Sequence, residues 1–178
     1  MKRMRVALVA LLAIASINVN AQSSDVYDPI VDGHVSLLGI SLGPKPAEFC
    51  KQLEKKGFKK EWGDENNIAY TGQFHGAPSR VSISIGFVNG QAGSLYSVNV
   101  ISLKSLKLAQ AKARYREMVQ KMEGIYGKGK TEATEQEYAK HVIPVGKGVV
   151  SIEMMNEDEM DGASAFYMVN MYLSDQKD

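Results

Sequence analysis

Apolar residues recur along this chain with two different periods, and the alternation between them outlines the fold. Ile68, Tyr70 and Phe74 share one parity. Val81, Ile83, Ile85 and Phe87 alternate with Ser82, Ser84 and Gly86, and Tyr96, Val98 and Val100 alternate with Ser97 and Asn99. Period two turns one face of a strand to a core and the other to water. Turn residues in His75-Gly76-Ala77-Pro78 and Asn89-Gly90-Gln91-Ala92-Gly93 separate the three runs, which predicts an antiparallel meander.

Helical spacing replaces this pattern in two places. Phe49, Cys50 and Leu53 fall on one stripe after Pro46, a residue suited to the first turn of a helix. Gly57 supplies a left-handed stop, and Phe58 can fold back onto Leu53. Farther on, Leu108, Ala111, Tyr115, Met118, Met122 and Ile125 recur at spacings of three and four, with Ser105 as a cap and Gly127 as the end. Fewer than three heptads argue against a coiled coil and for packing on the sheet. A first strand is expected over 34–42. A hairpin over Tyr138–Val145 and Gly148–Met155 turns at 146–148, and a last strand runs over Ser164–Leu173. The reading is an α+β domain of order β-α-βββ-α-βββ, two helices on an antiparallel meander. Its halves are similarly ordered, without a residue-level repeat.

The first residues do not belong to that domain. A basic start (Met1-Lys2-Arg3-Met4-Arg5), an uncharged apolar run from Val6 to Ile17, and small Val19 and Ala21 before Gln22 form the three parts of a secretory signal, 1–21. Twelve apolar residues rise only about 18 Å, short of a membrane's ~30 Å core. Residues 22–33 then read as a flexible lead-in, and 34–178 as a single domain. The signal carries three basic residues and no acidic one, so its removal shifts the net charge from +1 to −2. Such a charge without a basic cluster leaves no footprint for nucleic acid. No later run approaches membrane length, so the expectation is an exported protein of the periplasm or the extracellular space, without a membrane span after cleavage. Cys50 is the only cysteine and excludes an internal disulfide; its apolar neighbours suggest a buried, inert thiol.

Motifs that carry chemistry fail on inspection. Gly124-Ile125-Tyr126-Gly127-Lys128-Gly129-Lys130-Thr131 satisfies G-x-x-x-x-G-K-[ST]. A phosphate loop needs a strand before it and a helix after it, and here the glycines close a helix, whose end offers carbonyls that repel anions. Glu157-Asp158-Glu159-Met160-Asp161-Gly162 mimics the start of a calcium loop, but the twelfth position, which must supply a bidentate carboxylate, is Met168. His34, His75 and His141 show no metal-ligand spacing, and His75 reads as a surface turn residue. No catalytic residue, cofactor site or metal site is therefore assigned.

The candidate surface lies on strands. Thr71, Gln73, Arg80, Ser82, Ser84, Ser97 and Asn99 form a hydrated outer face, on which only Arg80 is an interface-type anchor. The last strand is apolar on both sides: Tyr167, Val169, Met171 and Leu173 on one, Phe166, Met168 and Tyr172 on the other. Such a strand is central in its fold or touches something else. Phe166, Met168 and Tyr172, with Met154 and Met155 on the neighbouring strand, are the candidate interaction surface. The function expected is a noncatalytic module binding a protein or envelope component. The alternatives are a small hydrolase or ligand-binding protein with a helix–sheet pocket, involving His141 with Glu153 or Tyr138, and an envelope structural protein.

Leu38-Gly39-Ile40-Ser41-Leu42-Gly43, followed by Phe49, Leu53 and Lys56-Gly57-Phe58, resembles the G-I-x-L-G…F…L…K-G-F opening of a family of exported proteins of unknown function from Gram-negative bacteria. Lys45-Pro46 departs from it where related openings carry a capping Ser or Thr. The order of elements is also similar to β-lactamase-inhibitor-protein-like domains, by fold analogy alone. Neither resemblance implies an activity or a cofactor.

Overall fold

A computed structural model describes residues 27–43, 46–88, 91–134, 138–157 and 166–175. Three short strands come first: β1 (Ile30–Val31), β2 (His34–Leu37) and β3 (Ile40–Ser41). They form a small antiparallel sheet in that order. Helix α1 (Pro46–Lys55) leads into β4 (Lys59–Gly63), β5 (Asn67–Phe74), β6 (Ala77–Val88) and β7 (Gln91–Ser102). Helix α2 (Leu108–Tyr126) leads into β8 (Lys130–Thr134), β9 (Ala139–Val145), β10 (Gly148–Glu157) and β11 (Phe166–Ser174). The last eight strands make one antiparallel sheet of order β4-β5-β6-β7-β11-β10-β9-β8. Each half is a helix followed by a four-stranded meander, and the two meanders join along their last strands. The fold is the expected α+β class with antiparallel meanders.

Cross-strand register explains the single core. His141, Ile152, Met171, Val100, Val81 and Tyr70 lie in one row across the large sheet, and Ile143, Val150, Leu173, Val98, Ile83 and Ile68 in the next. Both helices and the small sheet cover this face. From α1 come Phe49 and Leu53, from α2 Ala111, Met118 and Met122, and from the small sheet Val35, Leu37 and Ile40, all in the same buried cluster. The Tyr126 hydroxyl donates to the Ser36 carbonyl at 2.8 Å and ties α2 to β2.

The α1 terminus follows the Schellman pattern. The Phe58 N–H donates to the Leu53 carbonyl (3.2 Å) and the Gly57 N–H to that of Glu54 (2.9 Å), with Gly57 at φ +91°. Phe58 is 3% exposed and presses its ring on Gly72, where an added Cβ would stand 2.5 Å from ring carbon. Burial and desolvation raise the Cys50 thiol's pKa beside Tyr70, in keeping with an inert group.

Four local expectations change. The run 34–42 is a hairpin instead of one strand, because Leu38 and Gly39 take φ +55° and +76°, the two-residue turn that matches strand twist. Asp32-Gly33 makes the same turn at φ +54° and +80°. Ile30 and Val31 therefore pair with Val35 and His34, and the lead-in stops before them. Helix α2 starts at Leu108, past Ser105, because Leu106 is held in an antiparallel bridge to Tyr167; Lys107 precedes the helix and donates its N–H to Gln110 Oε1 at 3.2 Å. Strands β4 and β8 add one edge to each meander.

Candidate functional site

The other face of the large sheet is covered by no helix or strand among the described residues. Its central row runs Val142, Ser151, Tyr172, Asn99, Ser82 and Ala69, and the next Lys140, Glu153, Asn170, Ile101, Arg80 and Thr71. The Arg80 guanidinium donates to both Glu61 oxygens (2.9 and 2.8 Å), a bidentate pair about one-third exposed. Trp62 stands on this face too, opposite Ala69 and 49% exposed, while Ala69 itself is fully buried.

Where the centre of this face meets one end of the strands, apolar groups gather. Phe166 is 44% exposed and begins β11. Met168 pairs with Met155, both half-buried. Leu103, 46% exposed, lies two residues beyond Ile101. Asn170, next in parity after Met168, is only 3% exposed on a face without a covering layer. Its amide Nδ2 donates to the Met155 sulfur at 3.7 Å, while its Oδ1 and that of Asn99 accept no hydrogen bond among the described residues. One flexible thioether, that of Met155, thus lies against a buried polar side chain of this face.

Of the five residues expected at an interaction surface, Phe166, Met168, Tyr172 and Met155 share this face. Met154 does not. It has the opposite parity, pairs with Val169, and is 1% exposed in the core. Sequence reasoning passed over Leu103 and Trp62. Leu103 lies in the bend just past β7, its N–H donating to the Pro78 carbonyl at 3.1 Å, where strand alternation no longer applies. Trp62 sits in the otherwise polar stretch Lys59–Gly63, where no alternation marks a strand.

The rejected phosphate-loop match becomes a helix terminus. The Gly127 N–H donates to the Glu123 carbonyl at 3.1 Å, Gly127 takes φ +99°, and β8 follows. Glu123 gathers the loop: Lys128 Nζ lies at 2.7 Å, the Gly129 N–H at 3.2 Å and His141 Nε2 at 3.3 Å, the last at ion-pair range without hydrogen-bond geometry. Lys128 first, then the Gly129 amide, hold the Glu123 carboxyl below its usual range. His141, 5% exposed, shares a hydrogen bond between Nδ1 and Thr131 Oγ1 at 3.1 Å.

Glu153 lies on the opposite face from His141, near Lys140 at 3.7 Å, so a pocket built from those two does not assemble. Tyr138, its phenol raised by desolvation and then by Glu153, belongs with the outer group. His75 is no free surface residue: at φ +48° in the β5–β6 turn, its ring contacts Phe74 edge-on at 4.3 Å and its pKa is pushed down to about 4 by burial, then by Lys121 and Arg114. The calcium-like stretch from Asp158 to Gly162 lies outside the described residues. No group of three His, Cys, Asp or Glu among the described residues could hold a metal, and no described helix is long and apolar enough to cross a membrane. No protein-family model, curated protein or solved structure matches this chain.

Proposed function

We propose that the protein is an exported, noncatalytic binding module that docks a protein of the cell envelope on the uncovered face of its eight-stranded sheet. One observation carries the reading. Phe166 stands nearly half exposed two residues before Met168, which pairs with Met155, on a sheet whose opposite face already buries the core. Aromatic residues, Met and Arg are the types enriched where proteins meet, and an apolar cluster of this kind is unfavourable in water unless something covers it. Tyr172, Arg80 and Trp62 extend the same face as amphipathic anchors. The partner this surface fits is a protein patch with an apolar centre and a polar rim.

The test is capture from the envelope fraction of the producing cell, with the purified protein immobilised. A saturable partner should be retained by the unsubstituted protein and by Glu117→Ala, on the far side of the molecule. It should be lost with Phe166→Asp and with Met168→Asp while thermal unfolding stays unchanged. Retention by both aspartate variants would overturn the proposal.

A further inference from the structure

Building on the docking reading above, we infer that the partner sets a neutral N–H donor on an apolar body, of the indole type, against the amide oxygens of Asn170 and Asn99. The two residues stand on β11 and β7, the central pair of strands in the large sheet. Asn170 lies opposite Ile101 and Asn99 opposite Tyr172, so the amides are diagonal neighbours on the uncovered face. Asn170 is 3% exposed, and both Oδ1 atoms are buried and accept no hydrogen bond among the described residues. Other polar groups of this face are paired: Arg80 holds Glu61, and the Ser84 hydroxyl donates to Asn67 Oδ1 at 3.2 Å. A buried acceptor without a donor is destabilising, and two at the centre of one sheet face are what a partner's donor would satisfy.

The surroundings select the donor. The Glu153 carboxylate, cross-strand from Asn170, already faces Lys140 Nζ at 3.7 Å, so an ammonium group buried here would find neutral acceptors and no free counter-ion. A carbonyl or carboxylate would add a further acceptor to two that lack donors. An indole N–H donates and accepts nothing, and its ring suits the apolar neighbours: Met168 two residues before Asn170, Phe166 two before that, and Met155 paired with Met168. Met155 is the group that gives way. Its sulfur takes the Asn170 Nδ2 donor at 3.7 Å, a weak contact to a side chain with three rotatable bonds, and a change of rotamer uncovers the amide without disturbing a strand. Asn170→Leu keeps the branching of the side chain and removes an orphaned acceptor. It should leave the melting temperature of the free protein unchanged or raised, while removing what the donor recognises.

The test is a nuclear magnetic resonance titration of the purified protein with indole and with 1-methylindole, following the Met155 and Met168 methyl groups and the Asn170 side-chain amide. The added methyl makes 1-methylindole the more apolar probe, so apolar docking alone would favour it. A donor requirement reverses that order: indole should bind about threefold or more tighter, with saturable shifts in the millimolar range. Asn170→Leu should abolish the preference for indole. Binding of 1-methylindole as tight as that of indole, no saturable shift with indole, or a preference that survives Asn170→Leu overturns the inference. So does a melting temperature lowered in Asn170→Leu and in the smaller Asn170→Val alike, which would make the amide a structural member of the sheet. Equal binding of both probes at the two methionines removes only the donor and leaves the docking face standing. Partner capture unaffected by Phe166→Asp and Met168→Asp removes the face itself, and the inference with it.

Discussion

His75 shows how one side chain ties stability to pH. Its ordinary pKa near 6.5 falls to about 4 in the folded chain, chiefly through burial. The unfolded chain therefore takes up this proton first as the pH drops. The stabilising preference for the neutral ring is fully present above pH 6.5 and is lost progressively as the pH falls toward 4. Denaturant titrations at pH 7 and pH 4.5 should differ by roughly 1–3 kcal/mol through this residue. His75→Asn, which tolerates the turn's positive φ, should flatten that part of the profile; an unchanged pH slope would count against the assignment. Gly129 makes the second residue-scale case. A Cβ there would meet His141 Nε2 and the Val142 carbonyl, both at 2.5 Å, and backbone cannot step aside cheaply. Gly129→Ala should lower stability by about 1–3 kcal/mol in equilibrium unfolding. It should do so without any nucleotide effect, because this loop closes a helix instead of opening one.

Among elements, α1 is where sequence and structure agree most fully, and its stop signal can be measured. Gly57→Ala must place a Cβ at φ +91° and should cost about 1–2 kcal/mol, with Gly57→Asn costing less. Leu53→Ala, emptying a fully buried site, should cost about 2–5 kcal/mol. Equal effects of the Ala and Asn changes at 57 would deny the left-handed stop. Both helices, the meander β5–β7, the β9–β10 hairpin and the last strand were legible because apolar periodicity and turn residues agreed in each. Strands β4 and β8 were not, for a physical reason. Lys59, Lys60, Glu61, Lys130 and Glu132 fill the two sheet edges, where charge discourages pairing with another chain and erases the alternation that marks a half-buried strand. The Leu38-Gly39 turn was hidden by the opposite problem, since a leucine at φ +55° reads as one more apolar strand position. At the candidate surface, parity along β11 identified Phe166, Met168 and Tyr172. Met154 was misplaced because two consecutive methionines, 154 and 155, do not reveal which of them faces inward.

For the whole molecule, the arrangement of layers sets what each face presents. Two helices and a small sheet lie on one face of eight strands, so the core is complete on that side and the other side is left with an apolar cluster that folding does not use. Surface and core should consequently separate under mutation: Phe166→Asp should change stability by less than about 0.5 kcal/mol, whereas Met154→Asp, one strand away and of opposite parity, should cost about 3 kcal/mol or more. The most direct measurement of the account is site-specific photo-crosslinking in the producing cell, with the reactive residue placed at Met168 or, as the comparison, at Glu117 on the exposed side of α2. The account predicts a discrete intermolecular adduct from position 168 and none from position 117. No adduct at 168, equal adducts at both positions, or a crosslink from 168 only to the chain's own residues would contradict it.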